Sequence, residues 1–319
     1  MTPPSLPRPG RAVLALLLVT VLWGWTFLWM KQATGAVDAA LGPAGAVAGV
    51  SLFMTLRFGL AALLLPLLVP PARRHLDGAA WRGGLILGAL LLAGFLLQMF
   101  GLRGVSPPVS AFLTSLYVLF TALLHAAHAR RAPGWPLFLG VLLATFGGAY
   151  ISGPPQVSFD APEWLTVACA AIFAVHILAT DAVTRRVRPL PVSTTTFAWV
   201  ALGSALVFAA GMLRDGAPSA SALLGLLRRP DFWAPLLLSS TLATVVALTL
   251  MNQFQRDLPP VRAAILYALE PVWASIFSIA LGRETPNLWL FAGGAALLLG
   301  NLVAELGPWL KNQRSAAAG

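Results

Sequence analysis

Charged side chains are scarce in this sequence of 319 residues, where Asp, Glu, Lys and Arg together make up 10%. A soluble globular domain carries roughly 25%. Hydrophobic residues instead make up 58%, and the mean hydropathy is +0.80. The single cysteine, Cys169, excludes an internal disulfide framework and a thiolate metal cluster. The composition therefore predicts an integral membrane protein.

Lysine is almost absent, and this absence limits the energy source. The two lysines are Lys31 and Lys311, and neither ends a G-x-x-x-x-G-K phosphate loop. The chain therefore has no ATPase of its own. Its net charge of +10 comes from arginines in short loops between apolar runs, which indicates membrane topology rather than nucleic-acid binding.

Long apolar runs are what the chain has in abundance. They are about 20 residues long and lack the alternation of barrel strands, so they predict membrane-spanning helices. A signal peptide at the start is rejected, because no small-residue cleavage site follows the first run. We predict an all-α membrane protein with ten spans, at 12–31, 47–69, 83–103, 107–128, 135–152, 163–181, 193–213, 232–254, 260–281 and 286–308.

The distribution of basic residues predicts the orientation of these spans. With a cytoplasmic N-terminus, fourteen Lys and Arg residues lie inside and six outside, while Arg57 falls within a span. Both termini are therefore expected in the cytoplasm, with the protein in the cell membrane. The 214–231 connection holds three arginines against this bias. Its "SALLGLLRR" predicts a short amphipathic helix along the outer interface.

An internal repeat divides the chain into two halves, 1–153 and 154–319. "GVSPPVSAFLTSLYVLF" (104–120) aligns with "RDLPPVRAAILYALEPV" (256–272) at an offset of 152 residues. The repeat separates the ten spans into five and five, and an odd number of spans inverts the second half. Inverted repeats around a central site are typical of transporters.

Several segments resemble one transporter family. They are "WGWTFLWMK" in the first span, "LRFGLAALLL" in the second, "SAFLTSLYVLFTALL" in the fourth and "LEPVWASIFSIALGRETPNLWLFAGGAALLLGN" in the ninth and tenth. In these the chain resembles the EamA group of the drug/metabolite transporter superfamily. The resemblance implies ten helices in two pseudo-symmetric halves around a central cavity. It also implies secondary transport, usually export of small metabolites, amino acids or drugs.

The fourth span carries a polar stripe at helical spacing. Its members fall within an arc of roughly 80° and are Ser110, Thr114, Tyr117, Thr121, His125 and His128. A polar stripe faces either a water-filled cavity or a neighbouring helix, where serine and threonine make interhelical hydrogen bonds. We favour the cavity for the first four members. A zinc site at the two histidines is disfavoured because no third ligand is evident.

Glu270 is the most unusual residue of the ninth span. It lies within roughly 4 Å of the midpoint of that span, where a charge costs about 2.5–3.5 kcal/mol and must find a partner or face the interior. Pro271 follows it and frees the carbonyl of Tyr267. We predict that Glu270 binds a proton or a cationic substrate at a kinked helix. A structural ion pair with Arg57 is the alternative.

Other side chains complete the predicted cavity. Tyr267, Trp273 and Phe277 are expected beside Glu270, and Trp23 and Phe27 on the first span. Arg57 is either functional, structural or directed outward along its span. His176 fits a cavity position or a core histidine with its hydrogen bonds satisfied.

The function predicted from these residues is secondary transport by alternating access. The expected substrates are small metabolites, amino acids or amphipathic and cationic compounds, and protons are the candidate coupling ion. The partners are thus a small molecule and the lipid bilayer, with no nucleic acid, cofactor or metal. The alternative is an intramembrane enzyme without transport activity, but the histidines and acids are too scattered to favour one.

Overall fold

The computed structural model describes residues 8–130, 134–150, 160–214, 218–289, 291–300 and 302–303. These residues form helices and connecting turns, without a β-strand among them. The helices, numbered in chain order, are α1 Arg8–Leu41, α2 Ala46–Leu68, α3 Gly78–Gly104, α4 Pro107–Ser115, α5 Tyr117–Ala129, α6 Trp135–Tyr150, α7 Ala161–Thr184, α8 Pro189–Arg214, α9 Ala220–Leu227, α10 Pro230–Leu238, α11 Ala247–Phe254, α12 Pro260–Tyr267, α13 Glu270–Ala280 and α14 Phe291–Gly300. The all-α prediction is confirmed for this part of the chain.

Eight helical stretches are long and apolar enough to cross a membrane, and they lie at eight of the ten predicted spans. Three of them combine shorter helices: α4 with α5, α10 with α11, and α12 with α13. Shorter apolar helices, Trp135–Gly147 and Phe291–Gly300, occupy the fifth and tenth predicted spans. The protein is thus a multi-pass membrane protein, while the count of ten spans and the inversion stay predictions.

The first span is longer than predicted. We placed its end at Lys31, but α1 continues for ten more residues to Leu41. The ammonium of Lys31 donates to the carbonyls of Leu102 at 2.8 Å, Arg103 at 3.0 Å and Val105 at 2.9 Å. These carbonyls lie at the C-terminal end of α3, where a cation is favoured by the unpaired carbonyl groups. Because these carbonyls bind its ammonium group, Lys31 lies within α1 and does not mark the end of this helix.

The amphipathic helix predicted in the 214–231 connection is present as α9. The Ser219 hydroxyl caps it by accepting a hydrogen bond from the Ala222 backbone N–H at 3.2 Å. Leu226 on its apolar face is fully buried, and Arg228 follows its last residue. The helical part of the prediction is confirmed, and its place at the outer interface stays a prediction.

Close packing between α3 and its neighbours depends on glycine. A Cβ at Gly84 would lie 2.2 Å from the Thr195 hydroxyl of α8, and one at Gly101 would lie 2.3 Å from the Thr166 hydroxyl of α7. Such distances are shorter than any van der Waals contact, so these positions need glycine. Small residues let apolar helices approach closely without a hydrophobic driving force. This packing places α3 and α7 side by side at the central cavity.

Two helices are interrupted at related positions. The fourth span breaks at Leu116, between α4 and α5, and the ninth breaks at Ala268 and Leu269, between α12 and α13. Leu116 and Ala268 differ by the 152 residues of the sequence repeat, and their backbone angles are similar (φ −58°, ψ −14° and φ −59°, ψ −4°). Both interruptions place the first residue of the following helix against the cavity.

Candidate functional site

A central cavity lies between α1, α3, the two interrupted helices, α7 and α11. About 530 Å³ of space free of protein atoms lies here, and this volume includes the open space at the mouth of the cavity. Most of its wall is apolar or aromatic. The wall is formed by Trp23, Thr26, Phe27, Met30, Leu91, Phe95, Gln98, Thr114, Tyr117, Phe173, His176, Ile177, Leu248, Met251, Tyr267 and Glu270.

Glu270 is the acid on this wall. It is the first residue of α13 and only 4% exposed. The Tyr117 hydroxyl donates a hydrogen bond to its Oε1 at 3.1 Å, which joins the first residue of α5 to the first residue of α13 across the site. Its Oε2 accepts none from the described residues. Pro271 directly follows it and lacks the N–H that would bind the Tyr267 carbonyl. The predicted combination of a buried carboxylate and a proline break is present.

Tyr267 faces the cavity but is held by other groups. Its hydroxyl donates to Gln255 Oε1 at 3.0 Å, and Gln255 Nε2 donates to the Ile177 carbonyl at 2.7 Å. Its ring packs on Trp23 with centroids 5.4 Å apart. This chain of contacts links α12, α7 and α1, so Tyr267 orders the wall rather than binding Glu270.

The polar stripe on the fourth span includes residues on the cavity wall and residues buried in the helix packing. Thr114 and Tyr117 lie on the cavity wall, and Thr114 accepts a hydrogen bond from Gln98 Nε2 at 3.1 Å. Ser110 and Thr121 are fully buried away from the wall, and their hydroxyls have no hydrogen-bond partner among the described residues. The structure therefore brings the centre of the stripe to the cavity and leaves its neighbours in the helix packing.

The aromatic residues predicted around the site fall into two groups, one on the cavity wall and one in the packing between α1 and α13. Trp23 and Phe27 of α1 lie on the cavity wall, and the Trp23 indole N–H donates to the Ala243 carbonyl at 3.2 Å. Trp273 and Phe277 lie outside the wall. The indole N–H of Trp273 donates to Thr20 at 3.0 Å, and Phe277 stacks on Trp25 with centroids 4.2 Å apart, so both join α13 to α1.

His176 lies on the wall, 97% buried, on α7. Asp181, the acid nearest to it along α7, pairs instead with Arg185 at 2.8 Å. No hydrogen bond joins the imidazole to another residue in the described ranges. The interpretation of His176 as a core histidine with satisfied hydrogen bonds is therefore not what this geometry shows.

Arg57 lies directly behind the wall rather than on it. It is fully buried, and its Nε donates to the Thr244 hydroxyl at 2.8 Å. Its Nη1 donates to Met30 Sδ at 3.5 Å, and the guanidinium carbon lies 4.6 Å from the ring centroid of Phe95. Within the described chain no ion pair joins it to Glu270. In this conformation the two strongest charges of the interior are separate, and Arg57 does not extend to the surface.

Sequence reasoning missed several residues of the site. Gln98 is a lone polar residue in the apolar run "LLAGFLLQMF", and this isolation was a usable signal. Gln255 is fully buried although it lies beside Arg256 at the end of a span, a position that in sequence is typical of the membrane interface. Met30, Phe95 and the other apolar wall residues carry no sequence signal, because they look like any residue of an apolar helix.

A metal site is not evident. Among the residues that the structure describes, no three of His, Cys, Asp and Glu lie close enough together to hold an ion. His125 and His128 are on the part of α5 that follows the cavity-facing turn. The site therefore offers one carboxylate, one imidazole, hydroxyls and aromatic faces, which suits recognition of a small solute.

Comparison with known proteins supplies the family. The EamA-like transporter family matches residues 10–153 and again residues 162–305. An uncharacterized transporter of Archaeoglobus fulgidus is 26% identical over 297 residues, covering 92% of this chain and 86% of that protein. A crystal structure of a protein with 17% identity superposes with a TM-score of 0.67, covering 93% of this chain and 98% of the other, which supports the fold. The two family matches cover both halves of this helical membrane protein with a central cavity. This chain therefore belongs to the EamA-like transporter family of the drug/metabolite transporter superfamily, and it is a membrane transporter.

Proposed function

We propose that this transporter exports a small metabolite, amino acid, or amphipathic or cationic compound across the cytoplasmic membrane by alternating access, with protons as the coupling ion. The observation that carries the proposal is the position of Glu270. It is a buried carboxylate at a break in a membrane helix, on the wall of a central cavity, with a single hydrogen bond from Tyr117.

The electrostatics of Glu270 support a binding role. An uncompensated charge near the middle of a membrane costs about 2.5–3.5 kcal/mol or more, and no cation forms an ion pair with Glu270 among the described residues. The carboxylate is therefore most stable when it holds a proton or a cationic group of the solute. Competition between these two for one carboxylate is a simple way to couple export to proton entry.

The backbone around the cavity supports alternating access. The interruptions at Leu116 and at Ala268 lie where α4 with α5 and α12 with α13 meet the wall. A π-helical turn at Ser239–Val246 interrupts a third span and is bonded to the wall through Trp23. Broken helices and π-turns are places where a helix can bend without losing its packing on both sides.

The energy source follows from the sequence. The chain has no phosphate loop, so transport uses an ion gradient or the gradient of the solute. An intramembrane enzyme would need a cluster of reactive side chains. The carboxylate of Glu270 and the imidazole of His176 both lie on the wall, and no hydrogen bond joins them among the described residues. Transport is thus the function that these residues support best, and the chain is proposed not to be an enzyme.

The test is flux into liposomes that contain purified protein and an entrapped pH indicator. A panel of amphipathic amines and amino acids should reveal solutes whose saturable uptake accompanies a proton flux. Glu270→Gln keeps the shape and hydrogen bonding but removes titration. It should insert normally and lose the pH dependence of transport, whereas Glu284→Gln, in the loop before α14, should behave as the wild type.

A double variant separates coupling from structure. Glu270→Gln and Arg57→Gln are compared singly and together, with the amount of folded protein measured for each. If Glu270 only stabilises the fold through a charge partner, each single variant loses folded protein and the double variant recovers it. Full pH-dependent transport in the double variant would overturn the proposed role of Glu270.

A further inference from the structure

The guanidinium of Arg57 is a buried cation, and no anion pairs with it among the residues that the structure describes. The whole residue is inaccessible to solvent, and its Nη2 has no hydrogen-bond partner in the described part of the chain. Its other nitrogens bind two neutral groups, the Thr244 hydroxyl and the Met30 thioether. A thioether is a weak acceptor, so two of the three nitrogens are poorly satisfied.

Such a cation is expensive to keep in the interior. Transfer of an ion from water costs several kcal/mol even after relaxation, and good geometry with an anion is what normally offsets it. Phe95 and Phe58 lie 4.6 Å and 5.2 Å from the guanidinium carbon, and cation–π contact offsets part of this cost. The remaining deficit favours an anion at Nη1 and Nη2.

Two neighbours of the Arg57 guanidinium line the cavity. Met30 binds Nη1 from one side and lies on the cavity wall, and Phe95 covers the guanidinium and lies on the wall as well. Methionine has three rotatable bonds and repacks at low cost. A rotation of the Met30 side chain would remove its contact with Nη1 and needs no movement of the α1 backbone.

The third contact of Arg57 lies on an irregular backbone. Thr244 accepts from Nε at 2.8 Å and donates to the Ser239 carbonyl at 2.9 Å within the π-helical turn. The preceding residue, Ala243, accepts the indole N–H of Trp23 from the cavity wall. π-turns in helices occur frequently at functional sites, and this one binds the Nε of Arg57 and not the two terminal nitrogens.

We propose that Arg57 is a carboxylate-binding subsite of the transport cavity, reached when Met30 turns aside. The inference rests on the proposed function, because it takes the cavity to hold the transported solute. A carboxylate of the solute accepts two parallel hydrogen bonds from Nη1 and Nη2, the geometry that arginine matches best. The opposite end of the same solute, a cationic or hydrogen-bonding group, then faces Glu270.

A binding assay on the purified full-length protein tests the subsite without transport. The probes are phenylalanine, its amide, which lacks the carboxylate, and 3-phenylpropionate, which lacks the amine. Binding is followed by the quenching of tryptophan fluorescence and by the shift in melting temperature. The wild type should bind phenylalanine about tenfold or more tighter than the amide, as expected for a charge-assisted hydrogen bond.

Variants of Arg57 should remove this preference and leave the rest of the cavity intact. In Arg57→Gln the two affinities should become equal, with the amide bound as in the wild type. Arg57→Lys keeps the charge but not the fork, so it should keep part of the preference. Glu270→Gln should weaken binding of the amide. In this background the affinity for 3-phenylpropionate should still depend on Arg57.

Thr244→Val is the control for a purely structural role. It removes the hydroxyl that holds Nε, so it should lower the melting temperature and still discriminate phenylalanine from the amide. Equal binding of the two probes by the wild type, or no binding of any carboxylate probe, overturns the subsite. A preference that survives in folded Arg57→Gln overturns it too. If the wild type shows the carboxylate preference in binding but no proton flux accompanies transport in liposomes, the proposed function alone is refuted.

Discussion

The interruptions of the fourth and ninth predicted spans lie 152 residues apart, and they differ in what causes them. The break at Ala268 precedes Pro271, which cannot donate to the Tyr267 carbonyl and so weakens the helix locally. The break at Leu116 has no proline within either adjoining turn. It lies instead between the hydrogen bond from Gln98 to Thr114 and the one from Tyr117 to Glu270.

This difference teaches that one backbone feature can arise from local sequence or from tertiary contact. The second half contains the acid and the proline that break the helix by themselves. The first half contains the tyrosine that binds this acid, and its break is flanked by two side-chain hydrogen bonds instead of a proline. The two halves therefore contribute a donor and an acceptor to the same hydrogen bond at the cavity.

The largest expected effect concerns the predicted inversion of the second half, in which the two interruptions would have opposite orientations in the membrane. In a Cys169→Ala background, Ala129→Cys at the end of α5 and Thr285→Cys after α13 are labelled with a membrane-impermeant thiol reagent in intact and in opened cells. Both positions are exposed. The reagent should reach Thr285→Cys from outside and Ala129→Cys only in opened cells. Labelling of both from one side would refute the inverted repeat.

Proline insertion in α5 tests whether the break at Leu116 is a true helix start. Val118 is the second residue of α5, where a backbone N–H has no partner within the helix, so Val118→Pro should be tolerated apart from lost packing. Ala126→Pro, in the interior of α5, should cost about 3 kcal/mol or more. Unfolding of the purified protein measures both. Equal losses would mean that α4 and α5 act as one continuous helix.

The packing of α13 on α1 gives a smaller effect. A Cβ at Gly24 would lie 2.4 Å from the Cβ of Trp273, so Gly24→Ala should push α13 away and lower the free energy of unfolding by about 1–3 kcal/mol. Gly35→Ala on the same helix is the control, since a Cβ there meets nothing within 4 Å. We expect Gly35→Ala to be neutral or slightly stabilising. An equal effect at both positions would contradict the close contact.

The smallest effect is a difference in reactivity along the first interruption. Thr114→Cys should react with a small neutral thiol reagent through the cavity, whereas Thr121→Cys should be protected. The sequence alone predicts reaction at both, because the two residues share a helical face. Reaction at both positions would restore the full polar stripe as cavity lining.

The membrane class, the helical fold and the family follow from the sequence alone. Long apolar runs can satisfy their backbone groups in a bilayer only as helices when they lack strand alternation. Glu270 and Pro271 were also readable, because a carboxylate and a proline are costly inside such a helix and so need a reason. Helical spacing indicated Trp23, Phe27, Thr114, Tyr117 and Tyr267, all of which lie on the cavity wall.

Tertiary structure decided which of the remaining candidates face the cavity. Helical spacing gives the face of a residue on its own helix but not the neighbour opposite that face. Trp273 and Phe277 therefore lie against α1, and Ser110 and Thr121 lie in the packing. Arg57 shows the same limit, since its partners Thr244 and Met30 are 187 and 27 residues away in the chain. Only the folded arrangement of helices could place it behind the wall, because charge alone fixes the need for a partner and not the partner's identity.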